Sequence, residues 1–277
     1  MKPLINWEEL RKLNRPAAPP PESNTKGNMW DANADMYNQM AGMEREYTRK
    51  YLDVLPITKQ DTVLDIGCGP GRIAVLTAQR AKKVTAIDSS EKMLAHCKNN
   101  AKIAGVDNLD ARFLDWNQAV LGENLEQHDI AIASRSVGLS DLEKLSSFAK
   151  KFAVVMAWAN GPSIPEILDM LFAGTSNRPP FPQVNDRRLS YNVMYNIVYD
   201  MGYEPNIQVV PDGFQRLFSS KQEAYHELSR LREMDADKMP IFEKNVDRFL
   251  TKTQDGYWFE VKTRSFVMWW DTQIKQL

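Results

Sequence analysis

The sequence predicts an α/β protein built on a mainly parallel sheet, and three observations carry that expectation. From Thr62 to Trp158, short apolar runs alternate with helical stretches, the pattern of βαβ units. A glycine-rich loop follows the first of these runs and opens a helix. The chain has 277 residues, 43% hydrophobic and 26% charged, enough to bury a sizeable globular core.

The elements follow in order. Trp7, Leu10 and Leu13 are spaced for one short amphipathic helix, which Pro16 and the Pro19-Pro20-Pro21 run end. Residues 1–28 are expected to be a tail, whose Trp7 can dock on the body. Met36, Met40, Met43 and Tyr47 mark a helix from Met29 to Leu55, with Asp31 and Asn33 as starting caps and Pro56 as its close. Strands are expected at Thr62–Ile66, Lys83–Ile87, Leu109–Leu114, His128–Ala133 and Phe152–Trp158. Helices lie between them at Arg72–Arg80, Ser90–Ala104 and Asp141–Lys150. The remainder is less regular: helices at Pro165–Phe172, Ser190–Met201, Lys221–Arg232 and Ile241–Thr251, and strands at Asn206–Val210 and Trp258–Trp270.

Composition excludes several functions. Lys and Arg total 35 against 36 acidic residues, a net charge of -1, which removes the bulk attraction to nucleic acid or anionic lipid. No apolar run is long enough to span a bilayer, and MKPLINWEEL lacks the apolar core of a secretory signal. Cys68 and Cys97 are too few for a disulfide framework or a four-thiolate zinc site. No metal site is expected, and the expected compartment is the cytoplasm.

The chemistry centres on Val63-Leu64-Asp65-Ile66-Gly67-Cys68-Gly69-Pro70-Gly71. Gly67 and Gly69 permit a sharp turn and close approach of a ligand, and the helix behind them offers unpaired N–H groups. Dinucleotides and S-adenosylmethionine compete for such a loop. The dinucleotide fingerprint is G-x-G-x-x-G, whereas this chain reads G-x-G-x-G with Arg72 where the third glycine belongs. Asp65, two residues before the first glycine, suits a cationic amino-acid moiety, directly or through water, better than a pyrophosphate.

VLDIGCGPGR resembles motif I of the class I S-adenosylmethionine-dependent methyltransferases, and further motifs follow in that family's order. The resemblance implies a Rossmann-like, doubly wound, mainly parallel seven-stranded sheet with an antiparallel C-terminal strand and helical lid insertions. It implies that Asp88 holds the ribose hydroxyls, that Ser89 and Met93 follow it with Met93 packing on the adenine, and that Asp115-Trp116 lies near the adenine amino group. Ser134-Arg135-Ser136 takes the position facing the methionine part, and Trp30-Asp31-x-x-Ala34-x-x-Tyr37 resembles a helix that closes over the cofactor. Asp65, Gly67, Cys68, Gly69 and Gly71 complete the implied cofactor set. The core resemblance covers about Met29–Trp158. The N/D-P-P-Y/F/W signature of amino-group methylation is absent after the fourth strand.

The expected domain is 29–277, with substrate-side insertions at about 161–189 and 213–256. The expected activity is methyl transfer to a small-molecule acceptor, without nucleic acid or membrane as partner. A non-catalytic S-adenosylmethionine-binding sensor or scaffold is the alternative, and a protein or tRNA acceptor a third reading. The methyl of this cofactor is already activated, so alignment and exclusion of water are the main tasks, and no catalytic base need show. None is identifiable here. Cys68 reads as a space-filling side chain. His96 and His128 read as surface or structural, and His226 is the histidine with a chance of lining a substrate pocket. Tyr191, Tyr195 and Tyr199 share one helix face that packs on the sheet. Arg187-Arg188 are balanced between anion recognition and a solvated pair.

Overall fold

A computed structural model describes residues 5–13, 29–177 and 190–276. The elements are α1 (Trp7–Leu13), α2 (Met29–Val54), β1 (Thr62–Ile66), α3 (Ala74–Ala78), β2 (Lys83–Asp88), α4 (Glu91–Ile103) and β3 (Leu109–Phe113). They continue with β4 (His128–Ser134), α5 (Leu142–Ser147), β5 (Ala149–Asn160), α6 (Ile164–Leu171), α7 (Tyr191–Asp200) and β6 (Asn206–Phe218). The chain ends with α8 (Lys221–Ser229), α9 (Met239–Asp247), β7 (Leu250–Lys252) and β8 (Tyr257–Asp271).

Seven strands lie in the order β3-β2-β1-β4-β5-β8-β6, and β7 pairs with β8 as an eighth. β1 to β5 are parallel, and β8 runs antiparallel between β5 and β6. This is the doubly wound sheet with an antiparallel C-terminal strand. The chain steps from β1 to β2 and β3, then returns to place β4 on the other side of β1. A ligand crevice opens at the carboxyl ends of strands where the winding reverses in this way.

The apolar strands are buried on both faces, which is why they read as continuous runs. Leu64, Ala131, Val155 and Met268 face one layer with α5 and α7. Their alternates Val63, Ile132, Val154 and Val267 face the other, with the end of α2, α3 and α4. A third cluster joins Met40 and Met43 of α2 to α6, α8, α9 and the outer halves of β6 and β8, through Leu168, Leu228, Phe242, Phe214 and Phe259. Trp7 and Leu10 of α1 pack against the first layer, and Arg11 donates to the Leu139 and Ser140 carbonyls. Trp7 is therefore docked on the body.

Several boundaries differ from expectation. β6 continues past Val210 through Pro211 to Phe218, since an edge strand accommodates a proline that a central one would not. The expected helix Ile241–Thr251 ends at Asp247, and its tail is β7. Likewise β5 begins at Ala149, inside the segment expected to finish a helix. Asp31 and Asn33 are not caps: both lie within α2, where Asn33 donates to the Met29 carbonyl. Arg187-Arg188 and the proline-rich stretches 16–21 and 179–182 fall outside the described residues. Among the described residues no helix is long and apolar enough to cross a membrane.

Candidate active site

A cavity of about 490 Å³ opens at the carboxyl ends of β1, β2 and β4. Trp30, Tyr37, Gly67, Cys68, Gly69, Asp88, Ser89, Met93, Asp115, Trp116 and Ser134 all line it. The topology therefore gathers the predicted residues from separate strand ends into one wall.

The glycine loop is held from both sides. Gly67 N and Cys68 N donate to the Ile87 carbonyl at 2.9 and 3.0 Å, tying the loop to β2. Gly67 has φ 65°, and a Cβ there would lie 2.7 Å from Ser136 Cβ. Gly69 has φ 54°, but its Cβ would meet only Met93 Sδ, at 3.9 Å. Conformation disfavours a side chain at Gly69, whereas at Gly67 conformation and packing both do.

Asp88 closes β2. Its Oδ2 accepts from Gly69 N at 2.8 Å and its Oδ1 from Ser90 N at 2.9 Å. Burial raises its pKa, and backbone donors from Gly69, Ser90 and Ser89 oppose the rise. With three backbone donors on its two oxygens, the carboxylate keeps capacity for a further hydrogen bond. The Ser90 hydroxyl caps α4 by accepting from Met93 N, which fixes the turn that brings Met93 to the cleft. Asp115 accepts from Asn117 N at 2.9 Å, and the indole of Trp116 packs 5.1 Å from Phe148.

Two members of the predicted set do not line the cavity. Asp65 is buried behind the loop, with Oδ2 unpartnered among the described residues. Burial pushes its pKa up to about 7, although Arg72 and the Ala74 N–H pull it down. Gly71 faces inward, where a Cβ would lie 2.8 Å from Cys97 Sγ; its absence lets α4 pack on the loop. The Cys68 thiol is buried beside Cys97 and raised in pKa, first by their mutual hydrogen bond, as a space-filling residue would be.

The opposite wall comes from α2, β5 and α6. Trp30 and Tyr37 meet edge to face at 5.7 Å. Asp31 Oδ1 accepts from the Ser90 hydroxyl at 2.5 Å and from Lys92 N at 3.3 Å, so the residue expected to cap α2 instead binds it to α4. Sequence reasoning missed the charged floor of this wall. Glu44, 1% exposed, accepts from Arg135 Nη1 at 3.0 and 3.1 Å and faces Arg72 Nε at 3.3 Å. Arg135 Nη2 reaches Asp212 Oδ2 at 2.9 Å and the Tyr51 hydroxyl at 3.2 Å. Arg72 Nη2 donates to Ser134 Oγ at 2.5 Å. Burial raises the pKa of Glu44 against the pull of both arginines. Burial lowers the pKa of Arg135, but Glu44, Tyr51 and Asp212 outweigh it and hold the guanidinium charged. One signal was available: Glu44 sits among Met40, Met43 and Tyr47 on the buried face of α2, and a charge there needs partners.

The histidines stay outside the cavity. His96 pairs with Asp35 at 2.8 Å, and His128 is buried between the Glu126 carbonyl and Thr85 Oγ1. His226 is exposed on α8 and does not line the cleft, which corrects the expectation for it. Tyr191 packs on Phe266 at 5.6 Å, while Tyr199 is exposed. No group of three or more potential metal ligands occurs among the described residues.

Residues 63–159 match the family described as a methyltransferase domain. An uncharacterized protein from Haemophilus influenzae is 35% identical over 127 residues, 44% of this chain and 47% of that one. A 23S rRNA (uracil-C5) methyltransferase from Alcanivorax borkumensis is 34% identical over 83 residues, 30% of this chain and 19% of that one. The matches thus span less than half the length of either relative. Among solved structures, YjhP from E. coli shares the fold with a TM-score of 0.51 at 14% identity, over 90% of this chain and 100% of that one.

Proposed function

We propose that the chain, whose residues 63–159 match a methyltransferase domain, is a class I methyltransferase that binds S-adenosylmethionine in its cleft and transfers the methyl group to a small-molecule acceptor. The carrying observation is the convergence of the glycine loop, Asp88 and Met93 on one side of a cavity whose other side is a separate wall that includes Trp30, Tyr37 and Trp158. The residues fit the cofactor. Gly69 leaves the space of a Cβ open toward the cleft, Asp88 keeps acceptor capacity for ribose hydroxyls, and Met93 and Leu114 give an apolar seat for a purine.

When bound, S-adenosylmethionine supplies a methyl group already activated for in-line displacement. The chain's residues do the rest. The loop and Asp88 orient the nucleoside, and Ser134, anchored by Arg72, borders the reacting end. Trp30 and Tyr37 cover the cleft from α2 and exclude water. The domain is taken as 29–277; of its expected insertions near 161–189 and 213–256, the first supplies Ser163, Ile164 and Pro165 to the cavity, while the second begins inside β6 and includes β7.

The small-molecule acceptor is supported by the near-neutral net charge of -1 and by the apolar lining of Val137, Trp158, Ile164 and Pro165. The rRNA relative favours a second reading, an RNA acceptor. Calorimetric titration with S-adenosylmethionine, S-adenosylhomocysteine and NAD tests the cofactor: tight binding of the first two alone is expected, and a preference for NAD would overturn it. Radiolabelled methyl transfer into small-molecule extract or into bulk RNA then separates the acceptors. Binding without transfer into either of these, or into protein, identifies a sensor.

A further inference from the structure

Helix α2 lays a stripe of side chains along the cleft. Trp30, Tyr37, Ala41 and Glu44 all line the cavity, and their spacing of seven, four and three residues puts them on one face of α2. Trp30 stands at the end where Asp31 joins Ser90, beside the residues proposed for the nucleoside. Glu44 stands at the other end, where it meets Arg135 and the Arg72 that anchors Ser134. The stripe therefore runs toward the end at which the methyl group would be presented.

Between these ends Tyr37 holds an open hydroxyl. The residue is partly exposed. Its oxygen has no hydrogen-bond partner among the described residues, yet it is not sealed in as the indole N–H groups of Trp116 and Trp158 are. Burial first, and then Glu44, raise its pKa against the pull of Arg135, so the phenol keeps its proton and can both donate and accept. Ala41, one turn on, is also partly exposed and contributes only a methyl group. Tyr37 to Glu44 spans about 10 Å of helix at roughly 1.5 Å per residue, so Ala41 leaves a recess there long enough for one or two fused rings. The charges at the Glu44 end are already matched, Arg72 and Arg135 standing against Glu44 and Asp212. Among the described residues lining the cavity there is no further cation, and an anionic group would lose its water without gaining a counter-charge.

We infer that the recess over Ala41 is the acceptor subsite, and that it takes a neutral ring compound whose hydroxyl or amino group hydrogen-bonds to the Tyr37 hydroxyl. The inference rests on the methyltransferase reading and deepens it. Ala41 sets the size of the acceptor, and Tyr37 selects for its hydrogen-bonding group. The Tyr37 ring still covers the cofactor, since only the hydroxyl is assigned to the acceptor.

Equilibrium dialysis on the full chain tests it with three probes: naphthol, naphthalene, which has no oxygen, and naphthoate, which is anionic. Each is measured with and without S-adenosylhomocysteine, and naphthol is expected to bind tightest. Tyr37→Phe keeps the ring and removes the hydroxyl, so the preference for naphthol over naphthalene should shrink roughly two- to tenfold. Ala41→Leu fills the recess, so both neutral probes should weaken, roughly tenfold, while S-adenosylhomocysteine still binds. Preference for naphthoate, binding of none of the three, an undiminished naphthol preference in Tyr37→Phe, or full affinity for both neutral probes in Ala41→Leu would each overturn the inference. So would a Tyr37→Phe loss confined to S-adenosylhomocysteine, which would give the hydroxyl to the cofactor. Either variant decides alone if the other misfolds. Failure of S-adenosylhomocysteine to bind the wild type sinks the cofactor reading instead, while the probe comparisons without it still score the recess.

Discussion

Arg135 grips Glu44 through a single nitrogen, Nη1 lying 3.0 and 3.1 Å from the two carboxylate oxygens, from a backbone held at φ 51°. That left-handed conformation is costly for a side chain with a Cβ, and here the ring of Trp158 and three polar partners hold it. Glu44 also faces Arg72, so one carboxylate serves two buried cations. Glu44→Gln would leave both guanidinium groups short of charge, and should cost about 3–5 kcal/mol of stability in urea unfolding. Glu46→Gln, at the exposed pair with Arg49, should stay within about 0.5 kcal/mol. Equal effects would show that the buried network contributes nothing beyond a surface pair.

The raised pKa of Asp65 gives stability a definite pH slope. Burial moves it from 3.8 to about 7. Between those values the unfolded chain has released a proton that the folded chain keeps, so this contribution to stability falls as pH rises through the window and is flat above it. Asp65→Asn removes the titration. The variant's stability relative to wild type should therefore grow from pH 4 toward pH 7, by a few kcal/mol on the order set by such a shift. Parallel stability curves for the two proteins would show that Asp65 titrates normally.

Substitutions in the glycine loop should separate strain from packing. Gly69→Ala meets only the left-handed backbone, about 1–2 kcal/mol. Gly67→Ala meets the same backbone and also Ser136 Cβ at 2.7 Å, so it should cost distinctly more. Ser136→Gly in the Gly67→Ala background should recover the excess. Thermal unfolding of the three proteins reads this directly, and no recovery would mean that backbone strain alone sets the cost.

The fold was legible where local pattern and burial coincide. β1, β2 and β4 are buried on both faces, so Val63-Leu64, Val84 and Ile130–Ala133 announce themselves as apolar runs. β7 has three residues, too few for any period to register, and it was absorbed into a helix. The wall proposed to hold the cofactor was legible because its residues cluster at strand ends next to recognisable turns. The opposite wall was not, because its contacts are long-range: Glu44 and Arg135 are separated by 91 residues, and Arg135 and Asp212 by 77. A lone Glu on an apolar helix face says that a partner exists, without saying which arginine supplies it.

Asp88 anchors the loop and is proposed to hold the ribose, and its replacement should expose both. Asp88→Ala removes the proposed ribose acceptor and also the anchor for Gly69 N and Ser90 N. The affinity for S-adenosylhomocysteine should fall by about 1–3 kcal/mol in calorimetry. Unchanged affinity would mean that the ribose is held elsewhere.

Helix α2, the proposed lid, offers the last test. Asn100 of α4 donates through Nδ2 to Asn38 Oδ1 at 2.8 Å and to the Pro70 carbonyl at 2.9 Å. One amide thus joins α2, the glycine loop and α4. Asn100→Ala should leave the sheet intact, speed deuterium exchange in the first turns of α2, and shorten the residence of S-adenosylhomocysteine roughly two- to tenfold. Asn99→Ala, exposed on the same helix, should change neither. Faster ligand release without faster exchange in α2 would place the effect in the glycine loop, through Pro70, and the lid would then have no part in retaining the cofactor.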